Sequence, residues 1–349
     1  ESDFSMLAQA DERFEQARPG VGLRFPQDHA AHPGFRIEWW YVTANLKDTQ
    51  GRNWGIQWTL FRSAVAPPHS DGQLIDRNPW QADQVYLAHF AVSAPTQHRA
   101  FQRYARGGDY GGVRQAGVVA QPFAAWLDDW ELSSTGPAWL PLRLHAAEDD
   151  VAANLVLSSE LPLILQGDDG FSQKHPDGGG SYYYSHPFLR VSGTLQFAEE
   201  RVAVTGEAWL DREWSSQFLQ RDQQGWDWFA LHLDDGSKLM AFQLRSLIGE
   251  PYRHAVRLWP DGRRSRASSN DLRLQAVAER QVAGRSLPLE WRLEWPSEAL
   301  DLRVNAALDE QWMNLDFPYW EGRVNVLNPA GKATGKGYLE MTGYPVRKR

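Results

Sequence analysis

From residue 21 onward the chain alternates. Short runs rich in Trp, Tyr, Val, Phe and Leu set apolar and polar residues in turn, and Gly, Pro, Asn and Asp separate the runs. A period of two marks half-buried strands. Such runs occupy 36–46, 54–62, 85–92, 126–132, 142–146, 155–159, 182–197, 202–209, 226–233, 238–245, 255–258, 289–295, 300–306, 320–326 and 335–342. About sixteen strands make roughly eight per half, and eight antiparallel strands close a barrel around one small ligand. The pattern predicts an all-β protein. Residues 1–20 differ: Phe4, Leu7, Ala8 and Phe14 recur loosely at helical spacing before Pro19-Gly20, which predicts an N-terminal arm or helix.

One hairpin occurs twice. Trp39-Trp40-Tyr41 through Lys47-Asp48, then Gly51, Gln57 and Arg62, is echoed by Trp226-Asp227-Trp228 through Asp234-Asp235, then Gly236, Gln243 and Arg245. Each copy is a Trp-rich strand, an Asp/Gly turn and a strand ending in Arg. The echo predicts a duplicated domain, one at 21–199 and one at 200–349, with the polar turn at 198–201 as the boundary.

Composition narrows the function classes. The 349 residues carry a formal net charge of −8, which disfavours nucleic acid and anionic lipid surfaces as partners. No apolar run is long enough for a membrane-spanning helix, so the chain is not expected to be an integral membrane protein. With no Cys, disulfides, zinc thiolates and thiol nucleophiles are excluded. The chain opens at Glu1 without a charged-then-apolar leader. Seventeen Trp, with 11 Tyr and 15 Phe, make aromatic surface the unusual resource.

Several polar residues sit among those rings. Glu38 shares a strand face with Trp40 and Val42, opposite Ile37, Trp39 and Tyr41. Its carboxylate either faces a cavity or pairs with an Arg such as Arg62. In Trp209-Leu210-Asp211-Arg212-Glu213-Trp214, alternation puts Trp209, Asp211 and Glu213 on one face. A carboxyl walled by indole has its pKa raised by desolvation and can serve as a general acid. The alternative is a strand-end Asp in a turn, paired with Arg212. The run Tyr182-Tyr183-Tyr184 either lines a pocket or packs between domains, and His89 is either a hydrogen-bonded core residue or a catalyst. His29 and His32 lie in a Pro-Gly loop without a metal-binding helix motif. Neither a Gly-x-Ser-x-Gly elbow nor a Gly-rich nucleotide loop is present.

Five ordered blocks resemble a known family. They are Phe25 to Pro33 running into Glu38 to Leu46, Ala88 to Val92, Tyr182 to Leu195, Trp209 to Trp214 and Gly337 to Tyr344. Together they resemble the AttH-like proteins, relatives of the carotenoid 1,2-hydratases (hydroxyneurosporene synthases). The resemblance implies two tandem lipocalin-like (calycin) antiparallel β-barrel domains. It also implies an exported bacterial protein, periplasmic or secreted after loss of its signal, often encoded beside an ABC transporter, with a role in lipid or isoprenoid metabolism.

In the hydratase branch a protonated Asp adds a proton to a terminal C=C bond and water captures the cation. Asp211 matches that acid. Trp209, Tyr183 and Trp40 would then stabilise positive charge, Glu38 or His89 would orient water, and Tyr41 and Trp214 would complete the ligand wall, with no metal or cofactor. Where the hydratases have Tyr two residues before the acid this chain has Trp209, and where many AttH-like members have His after it this chain has Arg212. A neighbouring guanidinium favours the ionised acid unless it points to the opposite face. Two other functions fit the aromatic surface. One is a lipid carrier or chaperone serving an envelope ABC transporter. The other is a glycan-binding or glycan-cleaving protein using Glu38 and Asp211 at roughly 5–9 Å separation.

Overall fold

The alternating runs build two antiparallel sheets in a computed structural model that describes residues 11–68, 83–107 and 114–346. The first sheet takes β1 (Ile37–Asp48), β2 (Asn53–Ala64), β3 (Gln84–Ser93), β4 (His98–Gly107), β5 (Ala116–Ala120), β6 (Phe123–Leu127) and β7 (Trp130–Ser134). It continues with β8 (Leu142–Glu148), β9 (Val151–Ser158), β10 (Ile164–Leu165), β11 (Phe171–Gln173), β12 (Gly180–Phe197) and β13 (Glu200–Ser215). Its main order is β4-β3-β2-β1-β13-β12-β9-β8-β7-β6-β5, and β4 lies against β5, which curls the sheet into a barrel.

The second sheet takes β14 (Gln223–Leu233), β15 (Lys238–Ser246), β16 (Tyr252–Leu258), β17 (Arg264–Ser268) and β18 (Arg273–Val282). After these come β19 (Arg285–Trp295), β20 (Leu300–Ala306), β21 (Trp312–Met313), β22 (Tyr319–Leu327) and β23 (Ala333–Met341). Its order is β17-β16-β15-β14-β23-β22-β20-β19-β18. The architecture is a tandem of antiparallel barrels. The repeated hairpins, β1–β2 and β14–β15, occupy matching places in the two sheets, and in both the last strand pairs with the first. Their turns match too: Gly51 and Gly236 have φ of +79° and +88°, a conformation that favours glycine.

The division expected at 199/200 falls inside the first sheet. Strand β13 pairs along its length with β1 and β12, so the first barrel runs to Ser215 and the second begins with β14. The polar turn at 198–199 is a hairpin between two strands of one sheet, with Ala198 at φ +55°. Of the expected N-terminal arm or helix, residues 1–10 lie outside the described residues, and residues 11–20 form turns and extended chain rather than a helix. No helix among the described residues is long and apolar enough to cross a membrane.

Alternation sorts each strand into two faces. In β1, Trp40, Val42, Ala44 and Leu46 fill the first barrel, and in β14, Phe229, Leu231 and Leu233 fill the second. A third apolar cluster joins the outward faces of both sheets and contains Tyr183, Trp209, Trp228 and Phe242. Both faces of these strands are therefore buried. Gly55 permits the close approach, because a Cβ there would collide with Tyr338 Oη and the Arg323 side chain of the other barrel. In β12 the alternation breaks once. Pro187 has no N–H to donate, and the pairing with β13 shifts between His186 and Leu189. Tyr183 and Ser185 therefore face outward, while Leu189 and Val191 beyond the bulge face the barrel interior.

Candidate active site

The outward faces of β1, β2, β3, β12 and β13 meet those of β14, β15, β16, β22 and β23. On the first barrel one row of direct cross-strand partners reads Ser185, Asp211, Tyr41, Thr59, His89. On the second the corresponding row reads Glu321, Glu340, Trp228, Phe242, His254. Polar contacts join the two: Tyr41 donates to Glu321, and Asn45 Nδ2 donates to the Gly337 carbonyl at 3.0 Å. Beside the polar row of the first barrel runs an apolar one, Trp39, Phe61 and Leu87, also cross-strand partners. All three keep partial exposure, as does Glu340, so this part of the interface is open to solvent.

Asp211 is 4% exposed, and its surroundings explain its chemistry. Ser185 Oγ donates to Asp211 Oδ1 at 2.5 Å and Trp209 Nε1 donates to the same oxygen at 2.8 Å. Gln166 Nε2 in turn donates to Ser185 Oγ at 2.9 Å, which orients the hydroxyl toward Asp211. Burial disfavours the charged carboxylate and outweighs these donors, so the pKa is pushed up to about 6. An acid with that pKa can hold or release a proton near neutrality. Arg212 does not counter the shift, because it points to the opposite face of β13, into the first barrel.

Inside that barrel Arg212 meets Glu38. Arg212 Nη2 lies 2.7 Å from Glu38 Oε2, and Arg62 Nε lies 3.2 Å from Oε1. Burial alone would raise the Glu38 pKa, but the two guanidiniums hold it far below the usual carboxylate range. Trp40 and Trp214 flank Arg212, with ring centroids 4.1 and 4.7 Å from its Cζ. Of the residues expected at the site, Asp211, His89, Tyr41, Tyr183 and Trp209 share the outward face. Glu38, Trp40 and Trp214 face the barrel interior and do not join Asp211. The Arg62 pairing is the reading of Glu38 that holds, and this removes Glu38 as a partner carboxylate for sugar cleavage. His89 is buried, and burial lowers its pKa to about 3, so it is a neutral imidazole. Its Nδ1 lies 2.8 Å from Tyr319 Oη.

Further residues complete the site. Lys174 Nζ lies 3.1 Å from Glu213 Oε1 and 4.4–5.0 Å from the ring centroids of Tyr183, Trp228 and Phe242. Burial lowers the Lys174 pKa against the pull of Glu213, and burial raises that of Glu213. Glu321 is buried beside Glu340, and burial with the neighbouring like charge raises it well above its usual range. Sequence reasoning passed over Glu340, although Tyr338-Leu339-Glu340 repeats the aromatic-Leu-acid pattern of Trp209-Leu210-Asp211. Carrying the hairpin repeat through to the last strand of each barrel would have found it. Lys174, by contrast, comes from the segment before β12 and carries no comparable signal.

The AttH-like family model matches residues 16–344. The crystal structure of an AttH candidate from Nitrosomonas europaea is 34% identical, covers 95% of this chain and 100% of its own, and superposes with a TM-score of 0.82. Kievitone hydratase from Nectria haematococca shares the fold at 13% identity, with 95% and 97% coverage and a TM-score of 0.69. CghA with bound Sch210972 does so at 13% identity, with 98% and 99% coverage and a TM-score of 0.58. No curated protein matches the chain. The family model spans nearly the whole chain, and a full-length solved relative shares a third of its residues. The protein therefore belongs to the AttH-like family.

Proposed function

We propose that this protein hydrates a C=C bond of an apolar, isoprenoid-like molecule bound between the barrels, with Asp211 as the general acid. The observation that carries the reading is Asp211 itself: a carboxyl buried against indole, with its pKa pushed up to about 6, beside a part-exposed apolar row. The hydratase among the solved structures of this fold supports the reaction class. Protonated Asp211 gives its proton to one alkene carbon and leaves the other cationic. The rings of Tyr41, Tyr183, Trp209 and Trp228 share the face and offer π density to that cation. Such contacts are worth ~2 kcal/mol when desolvated, so they assist the acid without replacing it. A water molecule then bonds to the cation through its oxygen and sheds a proton, leaving the neutral alcohol, and Asp211 takes up a proton to begin again.

The test is to incubate the protein with isoprenoids that end in an isopropylidene group, from citronellol to lycopene, and to look for tertiary alcohols by mass spectrometry. Wild type forms them, and Asp211→Asn loses about 10²–10⁴ of the rate while still binding the alkene. Full activity in Asp211→Asn, or no alcohol from any member of the set, overturns the reading. So does a co-purifying lipid that stays chemically unaltered through long incubation, the mark of a carrier.

A further inference from the structure

The acids of the second barrel take no part in the steps above, and their placement gives them one. Glu321 and Glu340 are cross-strand partners on the outward face. Tyr41 donates to Glu321, and Tyr41 is itself the cross-strand partner of Asp211. The series Asp211, Tyr41, Glu321, Glu340 thus crosses from one barrel to the other through adjacent positions. Three buried atoms around it have no hydrogen-bond partner: Glu321 Oε2, Nε1 of Trp228 beside Glu340, and His89 Nε2. A buried polar atom left unpaired is costly, and these supply the acceptor and donor that a reacting water needs.

We propose that Glu321 and Glu340 share one proton and serve as the base that activates the adding water, an inference that rests on Asp211 being the acid. The step balances. Asp211 gives up its proton, and the alkene π pair forms the new C–H bond. The water oxygen bonds to the cationic carbon, and the proton it sheds passes to the ionised member of the pair. The pair then returns a proton to the Asp211 carboxylate. Adjacent carboxyls, one buried and the other only partly exposed, resist ionising together near neutrality. Burial, with Asp211 and Glu213 nearby, pushes Glu340 up to about 7, and burial with the charge of Glu340 pushes Glu321 well above its usual range. The groups facing the pair are Tyr41 from β1, Asp211 and Glu213 from β13, Trp226 from β14, and Tyr319 and Tyr338 from β22 and β23. Arg323, two residues along β22, is turned to the Ala94 carbonyl of the first barrel.

Infrared titration of the whole protein reads the shared proton without a substrate. A protonated carboxyl band that persists above pH 7 in wild type is expected to vanish in Glu340→Gln and in Glu321→Gln, while Asp211→Asn removes a separate band that titrates near pH 6. Citronellol in D₂O reads the chemistry. Glu340→Gln is expected to lose at least about tenfold in alcohol formation yet still exchange deuterium into the alkene, because the cation forms and reverts. A high-pH band unchanged in both Glu variants, or wild-type alcohol formation in Glu340→Gln, overturns the base. If Asp211→Asn stays fully active, the acid reading fails first and takes the base with it. An inactive Asp211→Asn beside an active Glu340→Gln overturns the base alone.

Discussion

On the first barrel the outward row carries Asp211 beside Ser185; on the second, the same two places hold Glu340 beside Glu321. The backbone is alike and the neighbour differs. Ser185 is a donor and favours the ionised form of Asp211, whereas Glu321 and Glu340 are two acids side by side, and the charge of Glu340 disfavours ionisation of Glu321. The interiors repeat the contrast. Arg62 and Arg245 end corresponding strands, and each meets an acid inside its own barrel. Glu38 lies between two fully buried guanidiniums, while Asp227 accepts from Arg245, Gln243 and Tyr344 at 2.7 Å each. Duplication supplied one scaffold, and the residue across the strand decides what each acid does.

The interiors allow the strongest attempt to break this comparison. Arg212→Ala leaves part of the Glu38 charge uncompensated and should cost about 3–5 kcal/mol in urea unfolding. Arg245, unlike Arg212, is 17% exposed, so in Arg245→Ala water can take the place of the guanidinium beside Asp227, and the change should cost only about 1–3 kcal/mol. Equal losses would mean that the two ion pairs do the same structural work. Next in size is the effect of Asp211 on stability. Its folded pKa lies above its unfolded value, so the folded protein binds the proton more tightly and is penalised as pH rises from about 4 to above 6. Asp211→Asn should therefore be more stable than wild type at pH 8, by up to about 3 kcal/mol, with the difference shrinking toward pH 4. Unfolding curves at the two pH values check this.

Exchanging the neighbours sharpens the comparison further. Glu340→Ser leaves Glu321 a hydroxyl across the strand, the kind of neighbour that Asp211 has, and the Glu321 pKa, held well above its usual range by burial and by Glu340, should drop, as read by carboxyl-carbon NMR. The smallest change expected is from Ser185→Ala. Removing a donor to the ionised form should raise the Asp211 pKa by about one pH unit and move the activity profile upward by the same amount. A downward move would show that the hydroxyl had been stabilising the protonated acid.

Much of this was legible in the residues. Alternation located the strands, and the Trp-rich repeat located two hairpins that proved to hold matching places. The same alternation put Trp209, Asp211 and Glu213 together, and it separated Glu38 and Trp40 from Trp39 and Tyr41. The domain boundary was misplaced because a polar hairpin turn within a sheet reads like a polar linker between sheets.

Local sequence determined which residues share a face, because side chains on a strand alternate whatever surrounds them. It did not determine what each face meets. In an ordinary strand the polar face is the wet one, but here the barrel interiors and the interdomain face are both apolar and both contain buried charges, so composition could not tell them apart. Only the packing of one barrel on the other turned Asp211 and Tyr41 toward Glu321 and Glu340, residues more than a hundred positions away in the chain. The raised pKa values follow from that packing, since desolvation depends on which groups surround a carboxyl in space and not on its neighbours in sequence.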